Sequence, residues 1–187
     1  MYENARFGFI LPVVQFQHKT SRPINSYESE IKTSFDYFGG KRVILFSVQG
    51  AFSSINGTQQ LLRFEYYYDE FKKFGINEVY CIAAMNDCHV LNVWRNYNKI
   101  KKVKMISDND GEFTDEVGMI SLTDSGLGFR SWYYAAIVNS GMIENWFGEP
   151  GHKSIYVGED EPIVCSREPE SLDVATPIKI LDYLRKV

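Results

Sequence analysis

The chain has 187 residues, 44% hydrophobic and 24% charged, a composition typical of a globular protein. Its net charge of −4 gives no excess of positive charge for binding nucleic acid or an anionic membrane. Apolar runs stay well short of the ~20 residues of a transmembrane helix, and the first residues lack the pattern of a signal peptide. Three cysteines without regular spacing do not make a secreted disulfide framework, so we expect a cytoplasmic protein with residues 1–187 in one domain.

The first half of the chain alternates strand-like and helix-like segments, which is typical of α/β proteins. A short strand is predicted over residues 11–16, before a polar stretch from His18 to Ser29. A buried-type strand follows over residues 42–48, and after it comes a loop of small residues at 49–58. A helix is predicted next, because four apolar residues recur there at helical spacing: Leu61, Phe64, Tyr68 and Phe71.

The second half continues the alternation with a buried-type strand over residues 78–84. Asn86 or Asp87 is expected to cap a helix whose apolar side carries Val90, Val93, Trp94 and Tyr97. A short strand at 103–106, one or two helical turns at 113–119 and a hairpin joining 133–138 to 142–147 follow. A final helix is expected to begin with Thr176 as N-cap and Pro177 at its first position.

The loop at 49–58 reads Gln-Gly-Ala-Phe-Ser-Ser-Ile-Asn-Gly-Thr. It resembles the active-site loop of the peroxiredoxins, of the peroxiredoxin 5 type, whose pattern is Pro-Gly-Ala-Phe-Thr-Pro-x-Cys. Further segments match that family in the same order along the chain: 78–87, 110–114, 128–132, 149–151, and the pair Cys165 and Pro169. The resemblance implies a thioredoxin-like α/β fold, in which helices flank a mixed central sheet, and it implies no cofactor.

The differences from the family pattern fall where the resemblance places its chemistry. Asn56 occupies the position of the peroxidatic cysteine, and an amide cannot form a thiolate or a sulfenic acid. Tyr133 stands where relatives carry an arginine, so the fixed positive charge is replaced by a phenol. Ser53 keeps the hydroxyl of the pattern's threonine. Gln49 and Ser54 replace its two prolines, from which we expect a looser loop.

Two cysteines remain as candidate redox groups. The spacing from Cys165 to Pro169 resembles that of a C-terminal cysteine in some relatives, so Cys165 is either an auxiliary thiol or an inert surface residue. Cys88 lies next to His89, but neighbours on a helix do not face each other, which favours an inert cysteine at a helix start. Cys81 lies in an apolar strand and is expected in the core. The three histidines have no metal-ligand spacing, so no metal site is predicted.

These observations favour a catalytically degenerate peroxiredoxin-like protein that acts in binding or assembly. Two alternatives remain open. One is a peroxide reductase or other redox protein that uses a relocated thiol, either Cys88 or Cys165. The other is a pocket for a small polar ligand, lined by Ser53, Asn56 and Tyr133. The resemblance also implies a homodimer, since Phe52 and its neighbours pack across a subunit interface in that family.

Overall fold

A computed structural model describes residues 7–19, 29–124, 126–155 and 164–187. Part of the predicted polar stretch, residues 20–28, lies outside these ranges. The strands and helices within them, in chain order, are β1 (Gln15–Lys19), β2 (Ser29–Thr33), α1 (Ser34–Phe38), β3 (Arg42–Val48), α2 (Ile55–Lys73), β4 (Glu78–Ala84), α3 (Cys88–Tyr97), β5 (Lys104–Asp108), α4 (Glu112–Glu116), β6 (Ile120–Leu122), β7 (Phe129–Ser131), β8 (Tyr134–Asn139), β9 (Met142–Gly148) and α5 (Pro177–Leu184).

Seven strands form one mixed sheet in the order β2-β1-β5-β4-β3-β8-β9. The three strands at its centre, β3, β4 and β5, are parallel to one another, and the flanking strands are antiparallel to their neighbours. The strands β6 and β7 form a separate antiparallel pair. A buried parallel centre needs cover on both faces, which explains the continuous apolar runs of β3 and β4.

Each face of the sheet has its own hydrophobic core. Because side chains alternate along a strand, β3 sends Ile44 and Phe46 to one core and Val43 and Leu45 to the other. Residues of α2, α3 and α5 fill the first core, and residues of α1 and α4 fill the second. In the first core the rings of Phe46 and Phe64 stack with centroids 3.9 Å apart. The predicted sheet with helices on its faces is therefore present.

Several boundary predictions are confirmed. The side chain of Asp87 accepts hydrogen bonds from the backbone N–H groups of His89 and Val90, so Asp87 is the N-cap of α3. Thr176 caps α5, and Pro177 takes its first position. The hairpin of β8 and β9 turns at Ser140 and Gly141, both with positive φ. The left-handed conformation is readily adopted by glycine, which favours Gly141 at that turn.

Two predictions need correction. The first strand begins at Gln15 rather than at Leu11, because Leu11 bonds through its N–H to the carbonyl of Gly141 and sheet pairing with β2 starts only at Gln15. On α3, the stripe of Val90, Val93 and Tyr97 is exposed. Trp94 is buried as predicted, and Leu91 rather than the other three residues joins it at the core, since successive helical positions point about 100° apart. The short elements β2 and α1 were not predicted.

Candidate functional site

The loop between β3 and α2 is held by hydrogen bonds from side chains rather than by proline rings. The N–H of Ala51 donates to Oδ1 of Asn86 at 2.7 Å, and the hydroxyl of Ser53 donates to the carbonyl of Gly50 at 2.7 Å. Phe52 adopts a positive φ of 58° and leaves 56% of its surface exposed. Gln49 is almost fully buried, and neither polar atom of its amide has a partner among the described residues.

Ser54 begins α2 as its N-cap. Its hydroxyl oxygen accepts a hydrogen bond from the N–H of Gly57 at 3.0 Å, which satisfies one of the free donors at the start of the helix. The same hydroxyl lies 2.7 Å from the phenol oxygen of Tyr133 at the start of β8. The serine that replaces a proline of the family loop thus links the helix start to the neighbouring strand.

Asn56 lies in the first turn of α2 and bonds to a segment more than a hundred residues further along the chain. Its Nδ2 donates to the carbonyl oxygen of Pro169 at 2.7 Å and approaches Oε1 of Glu168 at 3.4 Å. The hydroxyl of Tyr133 donates to the same Glu168 oxygen at 2.8 Å. We call Ser54, Asn56, Tyr133 and Glu168 the Asn56 cluster. Within it, Ser54 donates to Tyr133, and both Tyr133 and Asn56 donate to Glu168.

The electrostatics of the Asn56 cluster differ in sign from those of a site that stabilises anionic oxygen. Burial raises the pKa of Tyr133, and the nearby Glu168 carboxylate raises it further, so the phenol is a neutral donor near pH 7. The charged group that faces residue 56 is a carboxylate. An anionic nucleophile or a developing oxyanion at residue 56 would therefore be repelled.

The segment that carries Glu168 is fixed by backbone pairing. Ser166 is buried, donates through its N–H to the carbonyl of Leu122, and forms an isolated parallel bridge with Thr123. Further along, the carboxylate of Glu149 accepts hydrogen bonds at 2.7 Å from the N–H groups of Val174 and Ala175. The approach of Glu168 to α2 therefore rests on anchors to either side of it.

The structure brings only part of the predicted site together. Asn56 and Tyr133 both donate to Oε1 of Glu168, whereas Ser53 and Gln49 make no bond to either residue. Cys165 is exposed on the segment that leads to Glu168, and Cys88 is 94% buried at the start of α3, beside a different cavity. Glu168 was missed because nothing near it in the sequence marks it; the one signal was its place before Pro169.

The thiols differ in their electrostatic surroundings. All three cysteines are free. Burial raises the pKa of Cys81 strongly, which fits its predicted place in the core. Burial, with the neighbouring Asp87, also raises the pKa of Cys88, so its thiolate is scarce at neutral pH.

The described residues contain neither a metal-binding group nor a membrane-spanning helix. In that part of the chain no three His, Cys, Asp or Glu side chains are grouped so that they could hold a metal ion. The helices described there are each too short or too polar to cross a membrane.

Known proteins resemble this chain in sequence and in structure. Residues 18–160 match the Redoxin family. A peroxiredoxin of Rhizobium etli is 44% identical over 181 residues, which cover 94% of each chain. A peroxiredoxin of Sinorhizobium fredii is 50% identical over 147 residues, which cover 78% of each chain. The 1-Cys peroxiredoxin of Plasmodium falciparum superposes with a TM-score of 0.80 at 26% identity, covering 97% of this chain and 99% of that one. Peroxiredoxin 5 of Alvinella pompejana superposes with a TM-score of 0.73 at 25% sequence identity. The match covers 97% of this chain and 98% of that one.

The class of protein follows from these similarities together with the sheet. The fold is the thioredoxin-like fold of peroxiredoxins, with a mixed central sheet flanked by helices, as the sequence predicted. The chain belongs to the redoxin family and is a member of its peroxiredoxins.

Proposed function

We propose that this peroxiredoxin does not reduce peroxide at the family's site and acts instead in binding or assembly. The observation that carries the proposal is the bonding of Asn56. Its amide is not a nucleophile, and it ties the first turn of α2 to the carbonyl of Pro169. Thiol peroxidase chemistry needs a thiolate and a positive charge to stabilise the leaving oxygen. Here the position of the thiolate is an amide, and the charge beside it belongs to Glu168.

A peroxidase assay tests this proposal directly. Hydrogen peroxide is added to the wild-type chain with thioredoxin or with glutathione as reductant, and peroxide loss is followed over time. A peroxiredoxin with an intact loop cysteine runs in parallel as the positive control. We expect a rate no higher than that of free cysteine at equal thiol concentration. Turnover comparable to that of the control protein would refute the proposal.

The second candidate function is a redox reaction at a relocated thiol, and exposure favours Cys165 over Cys88. Cys165 is open to solvent, whereas Cys88 is buried and its pKa is raised. Mass spectrometry after mild peroxide treatment distinguishes the two residues. Selective sulfenic acid or disulfide formation at Cys165, lost in a Cys165→Ser variant, would support this function. If Cys165 is oxidised no faster than the thiol of an unstructured peptide, the proposal of a protein without peroxidase activity stands.

A small polar ligand at the Asn56 cluster is less well supported by the geometry. The donors that such a ligand would use already have partners, since Asn56 donates to Pro169, Tyr133 to Glu168 and Ser53 to Gly50. A ligand would therefore replace existing bonds rather than fill free positions. A thermal-shift screen of small polar compounds tests this possibility. A compound that raised the unfolding temperature of wild type, but not of Asn56→Ala, would support a ligand site at the cluster.

The binding role includes, we propose, self-association through an apolar surface beside the loop. The exposed stripe of α3, consisting of Val90, Val93 and Tyr97, lies next to Phe52, whose ring centroid is 5.8 Å from that of Tyr97. Tyr97 is 76% exposed in the single chain. A contiguous apolar surface of this kind is typical of a protein–protein interface. We call it the Phe52 surface and assign it to a homodimer.

Sedimentation velocity of two matched variants tests the dimer. Phe52→Asp places a charge on the Phe52 surface, whereas Phe35→Asp places one on a more exposed phenylalanine of α1, at 77% exposed against 56% for Phe52. We expect wild type and Phe35→Asp to sediment as dimers and Phe52→Asp as a monomer. A monomeric wild-type chain at about 50 µM, a concentration well above the Kd of ordinary specific interfaces, would contradict the assignment.

A further inference from the structure

A second concave region lies away from the Asn56 cluster and shares none of its residues. It is a cavity of about 640 Å³ between β1, β2, α1, α3 and β5. Its volume falls within the range of small-molecule sites in proteins. We call it the basic cavity, because five of its lining residues carry permanent positive charge: Lys19, Lys32, Lys41, Lys104 and Arg95.

The charge of the basic cavity contrasts with that of the chain. The protein has a net charge of −4, yet among the described residues only one carboxylate, that of Asp36, lines this region. That carboxylate is engaged by Thr33, which donates to it through its N–H and its hydroxyl. Two of the cations are paired from outside the lining, Lys32 with Glu30 at 3.1 Å and Lys104 with Glu78 at 2.6 Å. Within the described part of the chain neither Lys41 nor Arg95 forms an ion pair with a carboxylate, which leaves positive charge in the basic cavity.

Arg95 provides an independent indication of a missing acceptor. One terminal nitrogen of its guanidinium donates to the carbonyl of Lys101 at 3.0 Å. Its Nε is buried and has no partner among the described residues. Burying an unpaired guanidinium donor is unfavourable, and a small movement of the Arg95 side chain that brings Nε to an acceptor in the basic cavity would relieve that cost.

The remaining lining of the basic cavity is divided between polar side chains, among them Gln17, Asn92 and Ser107, and apolar or aromatic ones. Leu91 and Met105 line it from one face of the sheet, and the rings of Tyr37 and Tyr80 line it from the other. The phenol of Tyr37 lies 3.0 Å from Nδ1 of His18, and both residues belong to the lining. An inorganic ion would leave the apolar part of the lining exposed to water, whereas an anion with an apolar body would cover it.

We propose that the basic cavity binds a small organic anion, a phosphate or carboxylate group on an apolar body. The anionic oxygens contact the guanidinium of Arg95 and the lysines, and the body packs on Leu91 and Met105, which share one face of the sheet. The proposal stands independently of the chemistry at Asn56.

Isothermal titration with three probes tests the proposal. Phenyl phosphate carries both the charge and the body, inorganic phosphate the charge alone and benzyl alcohol the body alone. We expect saturable binding of phenyl phosphate with a Kd below about 1 mM. Inorganic phosphate is expected to bind at least about tenfold more weakly, because the apolar walls then contribute nothing. Absence of saturable binding of phenyl phosphate up to about 10 mM, or equal affinity for phenyl phosphate and inorganic phosphate, would overturn the proposal.

A matched pair of double variants locates the binding. Lys32→Gln/Lys104→Gln removes two ion-paired lysines from the basic cavity. Lys73→Gln/Lys102→Gln removes two ion-paired lysines elsewhere, which pair with Glu70 at 2.5 Å and with Asp69 at 2.6 Å. Both variants change the net charge equally and remove only surface ion pairs, which contribute little to folding.

We expect the affinity for phenyl phosphate to fall about tenfold or more in the first variant and less than twofold in the second. Equal losses in both would mean that binding follows net charge, and they would refute the location.

A labelling experiment on the wild-type chain covers the case in which a variant fails to fold. Cys88 lines the basic cavity, whereas Cys165 is exposed elsewhere and serves as internal reference. Saturating phenyl phosphate is expected to slow alkylation of Cys88 at least about threefold relative to Cys165, because the ligand covers the thiol. An unchanged ratio of the two rates would contradict binding in this cavity.

Discussion

Restoring the missing cysteine alone is expected not to restore a reactive thiol. In Asn56→Cys the new sulfur lies in the first turn of α2, as a reactive cysteine requires. It also faces the carboxylate of Glu168, whose oxygen lies 3.4 Å from the present amide nitrogen. These two features act in opposite directions on the thiol pKa, so their magnitudes decide the outcome.

The repulsion from the carboxylate is the larger effect. The sulfur would lie roughly 4 to 5 Å from Glu168, and Coulomb's law with an effective dielectric constant between about 20 and 80 gives about 1 to 4 kcal/mol. That corresponds to a rise of about 0.7 to 3 pKa units. The start of a helix stabilises a thiolate by about 0.3 to 1 kcal/mol, which lowers the thiol pKa by less than one unit. We therefore expect a pKa at or above about 8.5 and a thiolate fraction of about 3% or less at pH 7.

The rate of alkylation by iodoacetamide between pH 6 and pH 10 gives the pKa of the new thiol. A Cys165→Ser background removes the exposed cysteine, and the same background without Asn56→Cys corrects for Cys81 and Cys88. Adding Glu168→Gln removes the repulsion, and we expect the pKa to fall by about one unit or more. A pKa below about 7 with Glu168 intact, or no change on Glu168→Gln, would refute this electrostatic account of the cluster.

Three further outcomes follow from buried polar groups. Tyr133→Phe leaves Ser54 and Glu168 without their shared partner, so urea unfolding should show a loss of about 1 to 3 kcal/mol, against less than about 0.5 for the exposed Tyr66→Phe. Glu149→Gln weakens the two hydrogen bonds that hold the segment before α5 and should lower the free energy of unfolding by about 1.5 to 3 kcal/mol. The surface variant Glu70→Gln should lower it by less than about 1 kcal/mol. A similar loss in both variants would contradict the anchoring role of Glu149.

The third outcome is a dependence of the unfolding free energy on pH, and its direction follows from the lowered pKa of His18. Burial, with nearby lysines, lowers its pKa in the folded state below 6.5, so the unfolded chain takes up a proton first as the pH falls. The stability that a neutral His18 provides is complete above pH 6.5 and is lost as the pH falls through the folded pKa. The difference in unfolding free energy between wild type and His18→Gln should therefore shrink from pH 7.5 to pH 5; a constant difference would show that His18 is not the group responsible.

The sequence predicted the central strands and helices well because their signals are local. The apolar runs of β3 and β4, the N-cap at Asp87 and the Thr176–Pro177 start of α5 each depend on residues close together in the chain. The loop motif and its departures from the family pattern likewise indicate Asn56 and Tyr133 from the sequence alone. The family assignment rested on matches that the sequence itself carries.

What could not be predicted depends on contacts between distant residues. Glu168 enters the Asn56 cluster because Ser166 pairs with Leu122 and Thr123 and Glu149 holds the segment after it, and no periodicity near residue 168 signals those contacts. The basic cavity likewise gathers lysines from four different parts of the chain, and its charge is hidden by the overall negative charge. The exposed stripe of α3 was mistaken for a core face, since an apolar surface for a partner gives the same spacing as one for a sheet.

The bond between Asn56 and Pro169 has a consequence for how the protein is made. The two residues are 113 positions apart, so a ribosome adding about 5 to 20 residues per second reaches Pro169 roughly 6 to 23 seconds after Asn56. During that interval the nascent chain can hold β3, α2 and β4, but the first turn of α2 lacks its carbonyl acceptor and its carboxylate. Chaperones and proteases that meet the growing chain thus encounter an open loop that the finished protein does not present.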